Sequence, residues 1–220
     1  MSEAPGGRGE VRIWDLPTRL FHWLIVLLIP ASWFTQWIGR LDIHIILGLV
    51  MLGLVLFRIF WGLIGGSTAR FARFVRGPLA VIDYLKKRGG PALGHNPIGG
   101  WSVMLMLLLL ATQVGIGLFV IDEDGLEGGP YSSLISYDMA RTLAHWHEIV
   151  FYTLLATIGV HIAAILFYAL VRRDNLVTPM ITGRGSAEGA DEEMRPAPWW
   201  RFILAAGLAA AITFWIAGTL

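Results

Sequence analysis

The sequence predicts an all-α integral membrane protein, and three observations carry that prediction. Hydrophobic residues make up 55% of the 220-residue chain, charged residues only 15%, and the mean hydropathy is +0.63, well outside the balance of a soluble domain. Five apolar stretches, at about residues 18–38, 43–65, 100–121, 144–171 and 199–219, are each long enough to cross about 30 Å of hydrocarbon as a helix. Segments in lipid must satisfy their own backbone hydrogen bonds, and runs of this length do so as helices, being too long for barrel strands. Ten tryptophans suit belts at the two membrane interfaces.

Residues 1–17 precede the first span. That span (18–38) follows an arginine-bearing start, as the apolar part of a secretory leader would, but no small-residue cleavage site follows it and it carries His22, so it is expected to be retained. Only a few residues around Arg40 to Asp42 separate it from the second span, which predicts a tight antiparallel pair. The second connection (66–99) carries Arg70, Arg73, Arg76, Lys86, Lys87 and Arg88, and its PLAVIDYLKK reads as a short interfacial helix. The third (122–143) carries Asp122, Glu123, Asp124, Glu127 and Asp138, with Arg141 as its only base. The fourth begins with Arg172 and Arg173 and becomes a Gly-, Pro- and acid-containing linker over 185–198, ahead of the last span at 199–219.

Charge placement predicts orientation. Of the 17 Lys and Arg residues, 14 fall on the N-terminal side, two (Arg40 and Arg141) on the other, and Arg58 lies within a span. The positive-inside rule then places the N-terminus in the cytoplasm and, with five spans, the C-terminus outside. A net charge of +1 gives no reason to expect a nucleic-acid partner. The absence of cysteine excludes disulfides, thiolate-held iron–sulfur clusters and haem attached through C-x-x-C-H.

Histidines inside apolar spans carry the functional signal, because a strongly polar side chain in a bilayer costs about 2.5–3.5 kcal/mol on insertion scales. His147 and His161 lie fourteen residues apart on one apolar stretch, close to four turns, so both project from one helix face about 21 Å apart. Topology supplies a partner at each depth. His22 is level with His161 near the cytoplasmic side, and His44 is level with His147 near the outer side. Two axial imidazole pairs suit haem iron with no open position, which favours electron transfer over ligand chemistry. Hydrogen-bonded core histidines are the plainer alternative for any one of these residues, but not for four matched in depth. Zinc and copper prefer clustered ligands, and Glu148 is the only carboxylate at these depths.

His145 is about 160° out of phase with His161 and should face elsewhere, toward a haem propionate, a partner protein or solvent. His95, in GHNPIGGW, is expected at the start of the third span as an interfacial residue, with a quinone-binding role as the sharper alternative. Gly48, Gly53, Gly62, Gly115, Gly117 and Gly159 would leave room for a flat macrocycle, or equally for close helix packing. Arg58 requires an anion, and a haem propionate is a fitting one; backbone carbonyls or snorkelling are its alternatives. Arg19 is a similar candidate for a propionate contact, as is Arg73.

The segments VRIWDLPTRLFHW, IHIILG, GHNPIGGW, HWHEIVFYTLLATIGVHIAA and NLVTPMITGR resemble the bacterial di-haem cytochrome b561 and nickel-hydrogenase cytochrome b family, over about residues 10–184. The resemblance implies a four-helix transmembrane bundle (18–184) holding two non-covalent haems b on His22, His44, His147 and His161, moving electrons between the quinone pool and a redox partner. Hydrogenase-linked members take electrons from an iron–sulfur subunit, others serve cytochromes c, and some oxidise superoxide. The chain departs from the pattern in its fifth span, which has no histidine and is expected to be a packing or interaction helix. Competing readings are a haem-bearing membrane anchor for a peripheral redox subunit and a metal transporter.

Overall fold

A computed structural model describes residues 10–86, 93–185 and 193–218. Among them, five helices are long and apolar enough to cross a membrane. They are α1 (Leu16–Trp37), α2 (Leu41–Ile64), α5 (Pro97–Gly117), α6 (Tyr137–Phe167, prolonged by a π-helical turn, Tyr168–Arg172) and α8 (Trp199–Ala217). Between α2 and α5 lie the short helices α3 (Phe71–Phe74) and α4 (Pro78–Lys86), the latter the expected interfacial helix; α7 (Val177–Thr182) follows α6.

The helix starts follow local chemistry. Asp15 caps α1 by accepting from Thr18 N at 2.9 Å, and Asn96 caps α5 by accepting from Gly99 N at 2.8 Å; both helices carry proline in the first turn, where no N–H is needed. Ser136 caps α6, its hydroxyl accepting from Met139 N at 3.3 Å. This helix begins at Tyr137, ahead of the expected 144, because its first turns hold Asp138 and Arg141 and so give no hydropathy signal.

At the centre of the bundle, α2 packs against α1, α5 and α8, while α5 also packs against α6. The core joins Met51, Leu52 and Val55 of α2, Leu107, Leu110 and Val114 of α5, Leu154 of α6 and Ile216 of α8. Outward-facing Leu27, Trp37, Val160 and Phe214 are exposed, as befits a lipid-facing surface. The fifth span is built into this core. A Cβ on Gly53 would stand 3.1 Å from Thr213 Oγ1, Ala205 and Ala209 are buried, and Phe202 meets Phe57 and Trp61 edge to face. Small residues allow this close approach between α2 and α8.

Irregular chain ties the N-terminal end of the bundle together. The strand β1 (Val11–Arg12) pairs antiparallel with β2 (Arg184–Gly185), and the Gly183 carbonyl accepts from the N–H groups of Ile13 and Trp14. Gly183 has φ +83°, a backbone conformation that glycine adopts without strain. The expected linker is held down where it is described: Met194 N donates to Arg12 O, and Arg195 exchanges hydrogen bonds with Ser67. Residues 186–192 of that linker, residues 1–9 of the N-terminal segment, and Lys87 and Arg88 of the basic connection lie outside the described residues.

Candidate functional site

The structure brings His44 of α2 and His147 of α6 together at the far end of the bundle, opposite the N-terminus, with ring centroids 6.3 Å apart and planes at 78°. His44 Nδ1 lies 2.9 Å from the Ser32 carbonyl and 3.2 Å from Ser32 Oγ. A carbonyl only accepts, so Nδ1 carries the proton and Nε2 keeps its lone pair for a ligand. The acceptor comes from α1, which sequence reasoning could not name. His147 Nδ1 is buried without a partner. Beside the pair, a Cβ on Gly117 would come within 3.1 Å of His147 Cε1, whereas one on Gly48 would meet nothing within 4 Å.

Both rings line a cavity of about 630 Å³ enclosed by α1, α2, α5 and α6 and by the third connection. Its inner wall is apolar, with Met51, Leu110, Val114 and Leu154, while Asp122, Glu123, Glu127, Arg141, His145 and Glu148 form its polar part. His145 therefore lines the same cavity as His147. Gln113 also lines it, is 8% exposed, and leaves its Oε1 without a partner.

At the N-terminal end, His22 of α1 and His161 of α6 are close enough to interact electrostatically. His95 joins them. Its ring is wedged between Trp14, with centroids 4.7 Å apart, and Phe74, at 4.8 Å. Burial, then the charges of Arg58, His161 and His22, hold its pKa down at about 3, so it is a neutral imidazole at physiological pH. The expected interfacial residue is therefore part of the inner cluster.

Arg58 is 3% exposed and lies over the Phe71 ring at 4.9 Å. The carboxylate of Asp15 attracts it from nearby, but its oxygens are engaged elsewhere: Oδ1 accepts from Thr18 N and Oδ2 from Trp61 Nε1 at 3.0 Å. Among the described residues, eight buried side-chain N or O atoms have no partner, and six belong to this end: Thr18 Oγ1, Arg19 Nε, His22 Nδ1, Arg58 Nη1, Arg70 Nε and His95 Nδ1. Buried polar atoms are normally satisfied, so this concentration points to a polar ligand, and three arginines point to an anionic one. Arg19 is partly committed, because its Nη1 donates to the Ile181 carbonyl and its guanidinium packs on Gly183. Arg73 is exposed on α3.

Sequence reasoning missed two features. Fourteen residues separate His44 from Arg58 and His22 from Gln36, so α1 and α2 repeat the interval of α6; the same count would have placed Arg58 at the depth of His22 and His161. The second is a polar cluster in which Tyr84 OH lies 3.2 Å from Tyr168 OH and Asn96 Nδ2 donates to Tyr168 OH at 3.0 Å. Burial and then the hydrogen bond with Tyr168 push the Tyr84 phenol up to about 12. The seven-residue step from His161 to Tyr168 was its only sequence signal. The candidate glycines divide by role. Gly53 and Gly62 serve packing, against Thr213 and Phe71, Gly117 serves the His147 site, and Gly48, Gly115 and Gly159 have open space at Cβ.

Among the described residues no three His, Cys, Asp or Glu converge on one point, so each candidate centre is a pair of imidazoles. Such a pair suits a metal whose other ligands come from a macrocycle. No curated protein and no solved structure matches the chain. The family model described as prokaryotic cytochrome b561 matches residues 13–183, ending before α8. The chain therefore belongs to the prokaryotic cytochrome b561 family, multi-pass membrane b-type cytochromes that transfer electrons on haem b.

Proposed function

We propose that the chain carries electrons across a bacterial inner membrane, between the quinone pool and a redox partner, on two haems b each held by two histidines. His44 and His147 would hold one, and His22 and His161 the other. The carrying observation is the far-end pair. Two imidazoles sharing one first-row metal at about 2 Å, each ring centre about 1.1 Å behind its nitrogen, would have centroids about 6.2 Å apart; the observed separation is 6.3 Å, and both rings line a cavity of about 630 Å³.

A haem held by these histidines would supply one-electron exchange. The residues do the rest. Ser32 fixes the tautomer of His44, raising the basicity of its ligating nitrogen. Gly48 and Gly117 keep side chains away from the plane between the helices. Arg58, and more weakly the partly committed Arg19, would neutralise propionates at the N-terminal end, where their partnerless nitrogens lie. The di-haem unit would comprise 18–184, followed by the 185–198 linker and the fifth helix at 199–219. The basic connections support a cytoplasmic N-terminus and a periplasmic C-terminus.

The polar part of the far-end cavity bears on the partner. It holds Asp122, Glu123, Glu127 and Glu148 against one arginine, which favours a basic docking protein such as a cytochrome c over superoxide, an anion. A hydrogenase-type iron–sulfur subunit remains the alternative partner, with the chain as its haem-bearing anchor. Pyridine haemochrome analysis of the purified chain, followed by optical reduction with a quinol, tests the proposal. Two haems b per chain, reduced by quinol, are expected. One haem per chain contradicts the pairing, and a fully loaded protein inert to quinol contradicts the conduit.

A further inference from the structure

We infer that Arg141 anchors the carboxylates of the cofactor at the far end, as the cation that fixes which edge of the macrocycle faces solvent. The inference rests on the assignment of His44 and His147 as a haem pair. A dianionic edge placed against Asp122, Glu123, Glu127 and Glu148 would be repelled unless a cation stood between them, and among the described residues Arg141 is the only lysine or arginine lining the cavity. Arg40, the other base at this end, does not line it and is already paired with Asp42 at 2.8 Å and 3.0 Å.

Arg141 is placed for the task. It precedes His147 by six residues on α6, which sets it about 9 Å along the axis toward the end of the bundle, a step comparable to half a macrocycle with its propionate arm. Nη1 donates to the Ile121 carbonyl at 3.1 Å and so aims the guanidinium. Nη2 reaches Glu123 Oε1 at 3.3 Å, but that carboxylate is 87% exposed, and an exposed pair of this kind is weak and easily exchanged. A less hydrated carboxylate offered from the cavity would take its place in a stronger, bidentate geometry. His145, one turn further along α6, lines the same cavity and adds a hydrogen-bond donor.

The test uses the full chain in detergent and follows loss of each haem to excess apomyoglobin, with the far-end midpoint potential measured from pH 5 to 8. His147→Ala marks which haem is the far-end one. Arg141→Gln should keep the N-terminal-end haem and release the far-end haem about ten- to hundredfold faster, with Arg141→Lys between it and the parent. The far-end potential should rise more steeply toward low pH in Arg141→Gln than in the parent, because a propionate without its cation titrates in this range in addition to His145 and the cavity carboxylates that both proteins share. That slope would not follow from loss of a merely structural contact to Ile121. Glu123→Gln, which removes the competitor, should release the haem no faster than the parent. Parental release and a parental pH profile in Arg141→Gln, with the far-end haem gone in His147→Ala, would overturn the inference. Retention of both haems in His147→Ala would instead overturn the pairing beneath it. If Arg141→Gln loses both haems, Arg141→Lys decides: far-end release that is selective and faster supports the anchor, and loss of both haems refutes it.

Discussion

Gly117→Ala is the sharpest probe of the far-end pair, because it adds one methyl group at a known distance from one ring. The new Cβ would stand 3.1 Å from His147 Cε1, about 0.4 Å inside the near edge of ordinary carbon–carbon contact at ~3.5 Å. Both Gly117 and His147 lie on helical backbone, in α5 and in the first third of α6, so the ring is the softer element and must swing away. Overpacking of this size costs about 1–3 kcal/mol, or roughly five- to hundredfold in affinity at 1.4 kcal/mol per decade. The cost should fall on the far-end haem alone, since His22 and His161 lie on the other side of the bilayer core. The assay is transfer of haem to apomyoglobin, followed optically, with Gly115→Ala as control because nothing lies within 4 Å of its Cβ. Parental retention of both haems in Gly117→Ala, or selective loss of the N-terminal-end haem, would refute the reasoning.

Two further outcomes follow from the same geometry. His161→Ala should remove the N-terminal-end haem, together with its ligation by His22, and lower the pyridine haemochrome count from two to about one per chain; loss of only the far-end haem would show the histidines to be paired differently. Acid should destabilise the chain through His95. The folded state holds this imidazole neutral with a pKa of about 3, against ~6.5 when unfolded, so between those values only the unfolded state takes up the proton. Stability is therefore lost as pH falls below ~6.5, by about 2–3 kcal/mol at pH 4.5. Denaturant titrations at pH 7 and 4.5 should show a smaller acid loss in His95→Gln than in the parent, and equal losses would contradict the buried neutral imidazole.

The spans were legible because bilayer thickness and backbone satisfaction leave helices little freedom, and all five helices lie close to their hydropathy segments. Legibility failed where apolar content and structure part company. The polar first turns of α6, from Tyr137 to Leu143, carry no hydropathy signal although Ser136 caps them. His95 looked interfacial because it precedes a capped helix, yet Trp14 and Phe74 from distant segments close over it. Nothing local in the sequence encodes that wedge. Likewise, the acceptor for His44 is a carbonyl on α1, Ser32, and any residue type offers a carbonyl. The fifth helix was readable as a span but not as a core element, because its docking depends on Gly53 of α2 meeting Thr213, a pairing across 160 residues.

The repeated fourteen-residue interval explains why the two ends are built alike and charged differently. On α6 it joins two imidazoles, His147 and His161; on α1 it joins His22 to Gln36, and on α2 His44 to Arg58. Each helix thus presents one face to both depths, and each proposed centre would take one histidine from α6 and one from α1 or α2. The residue that α1 or α2 contributes at the other depth is then free to vary in charge without disturbing the ligand set. At the N-terminal end that residue is Arg58, nearly sealed from solvent beside partnerless nitrogens of Arg19 and Arg70. At the far end it is the uncharged Gln36, in a cavity whose carboxylates face one guanidinium. Positive charge nearby favours the reduced form of a cofactor, and negative charge the oxidised form, most strongly where water is excluded. Under the proposed assignment, a single helical register would supply matched ligation at both depths, while the residues paired with it would set the two electrostatic environments independently.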